Sequence, residues 1–329
     1  MLCEKCGARA AEGKSFCAKC ESKMSVKKSK VQSNTKVSSA LTDTPKSLYR
    51  HSGKVSPLMI LGALLTCLAA VVLAFVYAYA VVYIPIVGYL SFLLTAGFSF
   101  GVAFTAGFFL QVFNARNTLF SVFFGLIIGL FALYASWVAF EFVVINRYSD
   151  DGIRLMEIAF SPVAVWNIAC NIAENGWYSL GSTNVKGIAL WILWGIEGVI
   201  ITGFSIYMCY TMIIDAVFCE ACREWADSHS KVLNFKYNNQ TDLEERVLHH
   251  DLSFWDNATK IGSSDKDYYS ITFSLCSTCK KLYTLTLKKV KRSWDKENEE
   301  ELKEKILIRN LFISKSIIDH FKVQHLNEK

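Results

Sequence analysis

The sequence predicts a mainly α-helical membrane protein, in which a four-helix transmembrane bundle carries small cytoplasmic β domains at both ends. Three observations predict this fold class. Hydrophobic residues make up 52% of the 329 residues, residues 56–218 carry only eleven charged side chains, and eight of the eleven cysteines form Cys-x-x-Cys pairs outside that apolar region. Together they exclude a secreted disulfide scaffold, a disordered chain and a simple soluble enzyme.

The apolar region, residues 56–218, contains four runs that are long enough to cross a bilayer. A spanning helix needs roughly 20 mostly apolar residues, and each run exceeds that length. Pro85 and Gly88 predict a short turn between the first two runs. The predicted spans are approximately Pro57–Ile84, Ile86–Phe113, Leu119–Ile145 and Gly187–Val217.

The basic residues near these spans predict the orientation of the chain. Arg50 and Lys54 precede the first span, Arg116 lies between the second and third, and Arg223 follows the fourth. We therefore expect both termini in the cytoplasm and the loop at residues 146–186 on the outer side. No signal peptide is expected, because the first apolar run begins far from the N-terminus.

The outer loop contains the pattern of a short helix. Ser161 is a typical N-cap, Pro162 suits the first helical position, and Gly176 is a typical stop. An apolar face that includes Trp166 predicts either a helix lying flat on the outer leaflet or a helix folded over the bundle.

The first 23 residues carry two cysteine pairs in a segment too short to build a hydrophobic core. Two residues between a pair of thiolates allow both sulfurs to bind one ion, and two such pairs complete a closed tetrahedral site. A metal would therefore supply the folding free energy of this segment, on the order of 10–16 kcal/mol. Its predicted ligands are Cys3, Cys6, Cys17 and Cys20.

This N-terminal segment resembles the short zinc ribbon that begins many bacterial polytopic membrane proteins. In that family the cysteine pairs read Cys-x-x-Cys-Gly; here Gly7 follows Cys6, whereas Glu21 follows Cys20. The resemblance covers roughly 20 residues. It implies zinc and a multi-pass protein of the bacterial inner (plasma) membrane, and it implies no activity.

A second set of cysteines follows the last span, in a predicted zinc-ribbon-like domain at residues 219–292. Its four candidate ligands are Cys219, Cys222, Cys276 and Cys279. Predicted strands at Lys231–Tyr237, Tyr268–Leu275 and Leu282–Val290 favour a hairpin around the last pair. Disulfides are not expected on the reducing side of a membrane, whereas iron remains an alternative to zinc.

Two further segments complete the predicted organisation. Residues 24–55 form a basic, flexible linker, which we expect to be attracted to anionic membrane lipids. Residues 293–329 are predicted to be a helical tail, with one helix at Asp295–Lys305 and another that Ser314 caps and that runs through Phe321.

Two carboxylates lie within the predicted spans. Glu197 is about ten residues into the fourth span, where a carboxylate is costly and faces protein or water, as either a functional or a packing residue. Glu141 lies near the outer end of the third span, where we expect it to reach the interface and pair with Arg147 or Arg154.

Small residues recur at helical spacing in three spans, as in Gly125/Gly129 and Thr202/Ser205. Such stripes allow helices to approach closely in lipid. They predict packing within this bundle or in a homo-oligomer.

No catalytic motif stands out, so an enzyme is not expected. The first functional hypothesis is a non-enzymatic scaffold, assembly factor or regulator whose cytoplasmic zinc ribbons dock a protein partner. The alternative is a small transporter or channel that uses Glu197. Nucleic acid is not an expected partner, because no aromatic residues are interleaved with the basic linker.

Overall fold

A computed structural model describes residues 48–84, 89–148, 152–176, 178–180, 183–262, 265–294 and 300–326. These residues fall into two compact units. Residues 237–258 belong to one of them, and the long helices and the main sheet belong to the other.

Four of the described helices are long and apolar enough to cross a membrane, in agreement with the four predicted spans. The first, second, third and sixth helices along the chain have this length and composition, which fit a membrane protein. In chain order the helices are α1 (Met59–Tyr83), α2 (Tyr89–Val112), α3 (Thr118–Tyr148), α4 (Leu155–Ala159), α5 (Pro162–Asn175), α6 (Ile188–Ile214), α7 (Gln240–Leu248) and α8 (Lys315–Leu326).

The small-residue stripes bring α3 and α6 into backbone contact. A Cβ atom added to Gly125 would lie 2.7 Å from the carbonyl oxygen of Ser205, and one added to Gly129 would lie 2.8 Å from the Cα atom of Thr202. Since no real Cβ atom approaches backbone so closely, only glycine fits at these positions. The predicted packing role is therefore confirmed for this helix pair, whereas Gly97 of α2 faces open space.

The loop between α3 and α6 contains the predicted short helix as α5. The Ser161 hydroxyl accepts a hydrogen bond from the backbone N–H of Ala164 at 3.3 Å, and Gly176 ends the helix with a φ of 88°. Val165 and Ala173 of α5 are buried in clusters with side chains of α3 and α6. These contacts favour the interpretation in which the helix folds over the bundle.

The main sheet is four-stranded and antiparallel, in the order β5 (Asp227–Phe235), β6 (Asp267–Leu275), β7 (Tyr283–Trp294) and β8 (Glu300–Phe312). Strand β6, one of the two central strands, is buried from Tyr268 to Ser274, and Phe273 packs on Phe321 of α8 with ring centroids 5.6 Å apart. The strands in chain order are β1 (Tyr178–Leu180), β2 (Thr183–Val185), β3 (Phe218–Cys219), β4 (Glu224–Trp225), β5 (Asp227–Phe235), β6 (Asp267–Leu275), β7 (Tyr283–Trp294) and β8 (Glu300–Phe312).

The prediction of a helix at Asp295–Lys305, and with it a wholly helical tail at residues 293–329, is wrong. Strand β8 begins at Glu300 and pairs along β7. The dense Glu/Lys pattern suits a helix locally, but the segment pairs with β7 although Lys303 and Lys305 lie opposite lysines, and a diagonal 2.8 Å contact joins Lys288 to Glu304. The final helix after Ser314 is confirmed as α8.

The second unit is described from Tyr237 to Ala258. Asn239 caps α7 by accepting hydrogen bonds from two backbone N–H groups. The Asp242 carboxylate accepts a hydrogen bond from the hydroxyl of Tyr237 and two from the guanidinium of Arg246, which hold its pKa below the usual range.

We predict that Gly129→Ala will destabilise the bundle by about 1–3 kcal/mol, because the new methyl group overlaps the backbone of α6. Gly203→Ala on α6 is the matched control, since a Cβ atom there meets nothing within 4 Å. Thermal unfolding in detergent measures both variants. Equal midpoints for the two variants would contradict the close α3–α6 contact.

Candidate metal centre

Within the second set of cysteines, the first pair, Cys219 and Cys222, lies in the short turn that follows the last long helix. Helix α6 ends at Ile214, and strands β3 and β4 form a two-residue ladder around Cys219 and Cys222. The backbone N–H of Arg223 donates to the carbonyl oxygen of Cys219 at 2.8 Å. Arg223 has a φ of 59°, so the turn closes through a left-handed residue.

The second pair lies in the turn between β6 and β7 and repeats this geometry. The backbone N–H of Lys280 donates to the carbonyl oxygen of Cys276 at 3.0 Å, and Lys280 has a φ of 51°. The predicted hairpin around Cys276 and Cys279 is therefore confirmed. In both turns a basic residue occupies a left-handed position that glycine adopts more easily.

The structure brings the four cysteines of the second set together, although 53 residues separate Cys222 from Cys276. Their sulfur atoms all lie within 4.8 Å of one another, and the Sγ atoms of Cys219 and Cys279 are 3.6 Å apart. Four thiolates around one tetrahedral ion, each about 2.3 Å from it, would lie about 3.8 Å apart. This cluster could therefore bind a metal ion.

The surroundings of the cluster shift the pKa values of two of its thiols in opposite directions. The backbone N–H of Lys281 is the main cause that lowers the pKa of Cys279 to about 7. Desolvation by burial and the neighbouring sulfurs raise the pKa of Cys222 to about 12. A metal ion is what allows four adjacent sulfurs to be thiolates at once, because its positive charge replaces the protons.

A side-chain hydrogen bond joins the two cysteine turns. The hydroxyl of Thr278, between the second pair, donates to the carboxylate of Glu224 at 2.6 Å, directly after the first turn. The turns therefore contact each other through protein groups as well as through the sulfurs.

The first cysteine turn is fixed to the ends of the long helices. The indole N–H of Trp225 donates to the carbonyl oxygen of Gln111 near the end of α2 at 2.8 Å. Arg116, in the turn between α2 and α3, forms an ion pair with Glu220 at 2.5 Å and lies over the ring of Phe218. We call this end of the bundle the sheet end.

The segment before α1 also links the bundle to the sheet. The hydroxyl of Tyr49 accepts a hydrogen bond from the backbone N–H of Phe218 at 3.0 Å, and the backbone N–H of Tyr49 donates to Asn310 of β8 at 2.8 Å. The imidazole Nε2 of His51 donates to the carbonyl oxygen of Ile213 at 2.8 Å, and burial lowers the pKa of this histidine. The sequence did not predict these contacts. Tyr49 and His51 lie in the predicted linker, and their partners are more than 160 residues away in the chain.

The remaining predicted ligands, Cys3, Cys6, Cys17 and Cys20, lie outside the described residues. The three cysteines outside the Cys-x-x-Cys pairs lie within helices: Cys67 in α1, Cys170 in α5 and Cys209 in α6. Cys209 is fully buried. Within the described ranges, the four-cysteine cluster is the group of residues suited to hold a metal.

Glu197 of α6 lies inside the bundle, as predicted. It lines a cavity of about 30 Å³ with Tyr77, Ser136 and Trp194, which is room for one or two water molecules. Its side chain hydrogen-bonds the hydroxyl of Thr95 on α2. The carboxyl group therefore bridges two helices next to a small cavity whose lining is mostly apolar.

The expected pairing of Glu141 with Arg147 or Arg154 is wrong. Glu141 is fully buried, and its carboxylate oxygens have no hydrogen-bond partner among the described residues. Arg147 instead donates to the carbonyl oxygen of Val82 at 2.7 Å, and Arg154 pairs with Glu157 at 2.6 Å. Glu141 lies on the side of α3 that faces the bundle, so its side chain is buried. Its closeness to the end of the span was therefore a poor guide to its exposure.

Comparison of this chain with protein-family models, curated proteins and solved structures finds no match.

We predict that Cys276→Ser will remove one equivalent of bound metal per chain, because three sulfurs and a hydroxyl cannot complete the site. Cys170→Ser on α5 should retain the full amount, since Cys170 lies outside the cluster. Elemental analysis of the purified protein measures both variants. Equal metal contents in Cys276→Ser and wild type would contradict the assignment.

Proposed function

We propose that this protein is an integral membrane scaffold, assembly factor or regulator, without enzymatic activity, whose cytoplasmic metal-bound module docks a protein partner. One observation carries the proposal: the cysteine cluster lies where the sheet meets the helix ends. Four sulfur ligands would close the coordination sphere, which suits a structural ion rather than a catalytic one. The ion would then hold a soluble platform at a fixed place on the membrane.

The proposed location is the bacterial inner membrane, with both termini in the cytoplasm. The basic residues at the sheet end support this orientation, because Arg50, Lys54 and Arg116 precede or connect spans at that end. A reducing compartment also suits four neighbouring thiols without a disulfide.

The proposed metal is zinc, in two sites of four cysteines each. Closed four-thiolate sites are typical of structural zinc, which supports this choice for Cys219, Cys222, Cys276 and Cys279; iron binds the same ligand set, and elemental analysis distinguishes the two metals. The spacing of the N-terminal cysteines supports the second site. Exposed apolar faces on the long helices leave room for a homo-oligomer within the membrane.

If the metal holds the docking platform, partner binding will depend on it. We predict that a protein cross-linked to wild type in native membranes will be recovered at least tenfold less with Cys276→Ser. Cys170→Ser makes the same chemical change outside the cluster and should retain the partner. Quantitative mass spectrometry after affinity purification measures the three samples.

Two results decide this prediction. Loss of the partner in Cys276→Ser, while the variant still purifies as a monodisperse membrane protein, supports the docking function. Full recovery of the same partner from metal-free Cys276→Ser would contradict it.

A small transporter or channel is the second candidate, and the setting of Glu197 favours it. A carboxyl group that lies within a membrane span and hydrogen-bonds Thr95 on a neighbouring helix is a group that ion pathways use. The cavity of about 30 Å³ is small for a translocated solute, which ranks this candidate below the scaffold.

We predict that Glu197→Gln will leave partner recovery unchanged, because glutamine retains the size and a hydrogen bond to Thr95. Glu141→Gln is the matched control for loss of an intramembrane carboxyl group. A pH-gradient-driven flux in proteoliposomes that Glu197→Gln abolishes and Glu141→Gln retains would contradict the scaffold and establish the transporter.

A further inference from the structure

A cavity of about 500 Å³ opens at the sheet end of the bundle, and no cysteine is among its lining residues. It lies between the segment before α1, the start of α3, the end of α6 and strand β8. His51 is one of its lining residues, but its Nε2 is engaged with Ile213. The residues that give the cavity its chemistry are Arg50, Gly53, Arg116, Thr118, Leu119 and Arg309.

The cavity has an excess of positive charge. Arg116 is paired with Glu220, but its Nε is buried and donates to none of the described residues. Arg309 lies 3.2 Å from the carboxylate of Asp215. Arg50 is exposed and forms no ion pair within the described ranges. Three guanidinium groups therefore meet two carboxylates, which leaves a net positive charge, and the exposed guanidinium of Arg50 offers its N–H donors to a ligand.

The N-terminus of α3 adds further donors to the same cavity. The Asn117 side chain accepts a hydrogen bond from the backbone N–H of Phe120 at 3.0 Å. The preceding amides, of Thr118 and Leu119, donate to no acceptor in the described part of the chain. The first turn of a helix carries partial positive charge, so these amides favour the same kind of ligand as the arginines.

An apolar stripe leads out of the cavity along α3. Leu119, Phe123 and Ile127 lie on one face at intervals of four residues and are 66%, 54% and 63% exposed. This face belongs to a helix long and apolar enough to cross the bilayer. The arginines therefore lie where a lipid headgroup would be, and the stripe lies where its acyl chains would be.

We propose that this cavity binds the phosphate of an anionic phospholipid from the leaflet at the sheet end, with the acyl chains along Leu119, Phe123 and Ile127. Charge complementarity and the adjoining apolar stripe together favour a lipid over a soluble anion. The proposal rests on the membrane placement proposed above and is independent of the docking function. A bound lipid would contact both β8 and the helix ends, and would stabilise their junction.

The test measures phospholipid binding to the full-length protein in detergent, by native mass spectrometry and thermal unfolding. Phosphatidylglycerol should bind and raise the unfolding midpoint, whereas phosphatidylcholine and inorganic phosphate should not. Arg50→Gln should weaken phosphatidylglycerol binding about fivefold, the effect of one cation near an anionic headgroup. Arg154→Gln, at the opposite end of the bundle, removes the same charge and should bind as wild type.

A second variant tests the path of the acyl chains. Leu119→Gln should weaken phosphatidylglycerol binding without changing metal content or partner recovery. Three results would overturn the proposal: equal binding of phosphatidylcholine and phosphatidylglycerol, equal losses in Arg50→Gln and Arg154→Gln, or stabilisation by inorganic phosphate that matches the lipid. The last result would identify a soluble-anion site instead.

Discussion

The approach of four cysteine sulfurs to within 4.8 Å of one another is the constraint on which the junction between sheet and helices depends. One pair directly follows the last long helix, and the other is the turn between the two central strands of the sheet. Burial and the neighbouring sulfurs raise the pKa of Cys222, so this thiol keeps its proton until a cation takes the proton's place. A bound ion would therefore hold all four sulfurs as thiolates and join the two turns.

The contacts around the cluster extend its effect to the helix ends. Trp225 binds the end of α2, Glu220 binds Arg116 at the start of α3, and Tyr49 binds the backbone at Phe218. Trp225, Glu220 and Phe218 all lie in the turn around Cys219 and Cys222. Each of these contacts therefore depends on the position of that turn. Within the bundle, glycines of α3 admit the backbone of α6, which sets the distance between two of the four helices. The protein therefore combines a close-packed apolar bundle with a polar junction at its sheet end.

The sequence predicted the features that depend on local patterns. Apolar length predicted the four long helices, Ser161-Pro162 and Gly176 predicted α5, and Cys-x-x-Cys spacing predicted both turns of the cluster. The mistakes arose where tertiary contacts outweigh local preference. Strand β8 has the composition of a charged helix but pairs along β7, and Glu141 lies on the inward side of α3 although it is near the helix end.

Hydrogen–deuterium exchange of the metal-loaded and chelated protein tests most directly whether a metal ion at the four-cysteine cluster holds the two turns together. The amides of Arg223 and Lys280, which close the two cysteine turns, report on its state. We expect chelation to accelerate amide exchange at both cysteine turns and at Trp225 together, while the amides at the centres of α3 and α6 stay protected from exchange. Unchanged exchange at both turns after complete removal of the metal would contradict it.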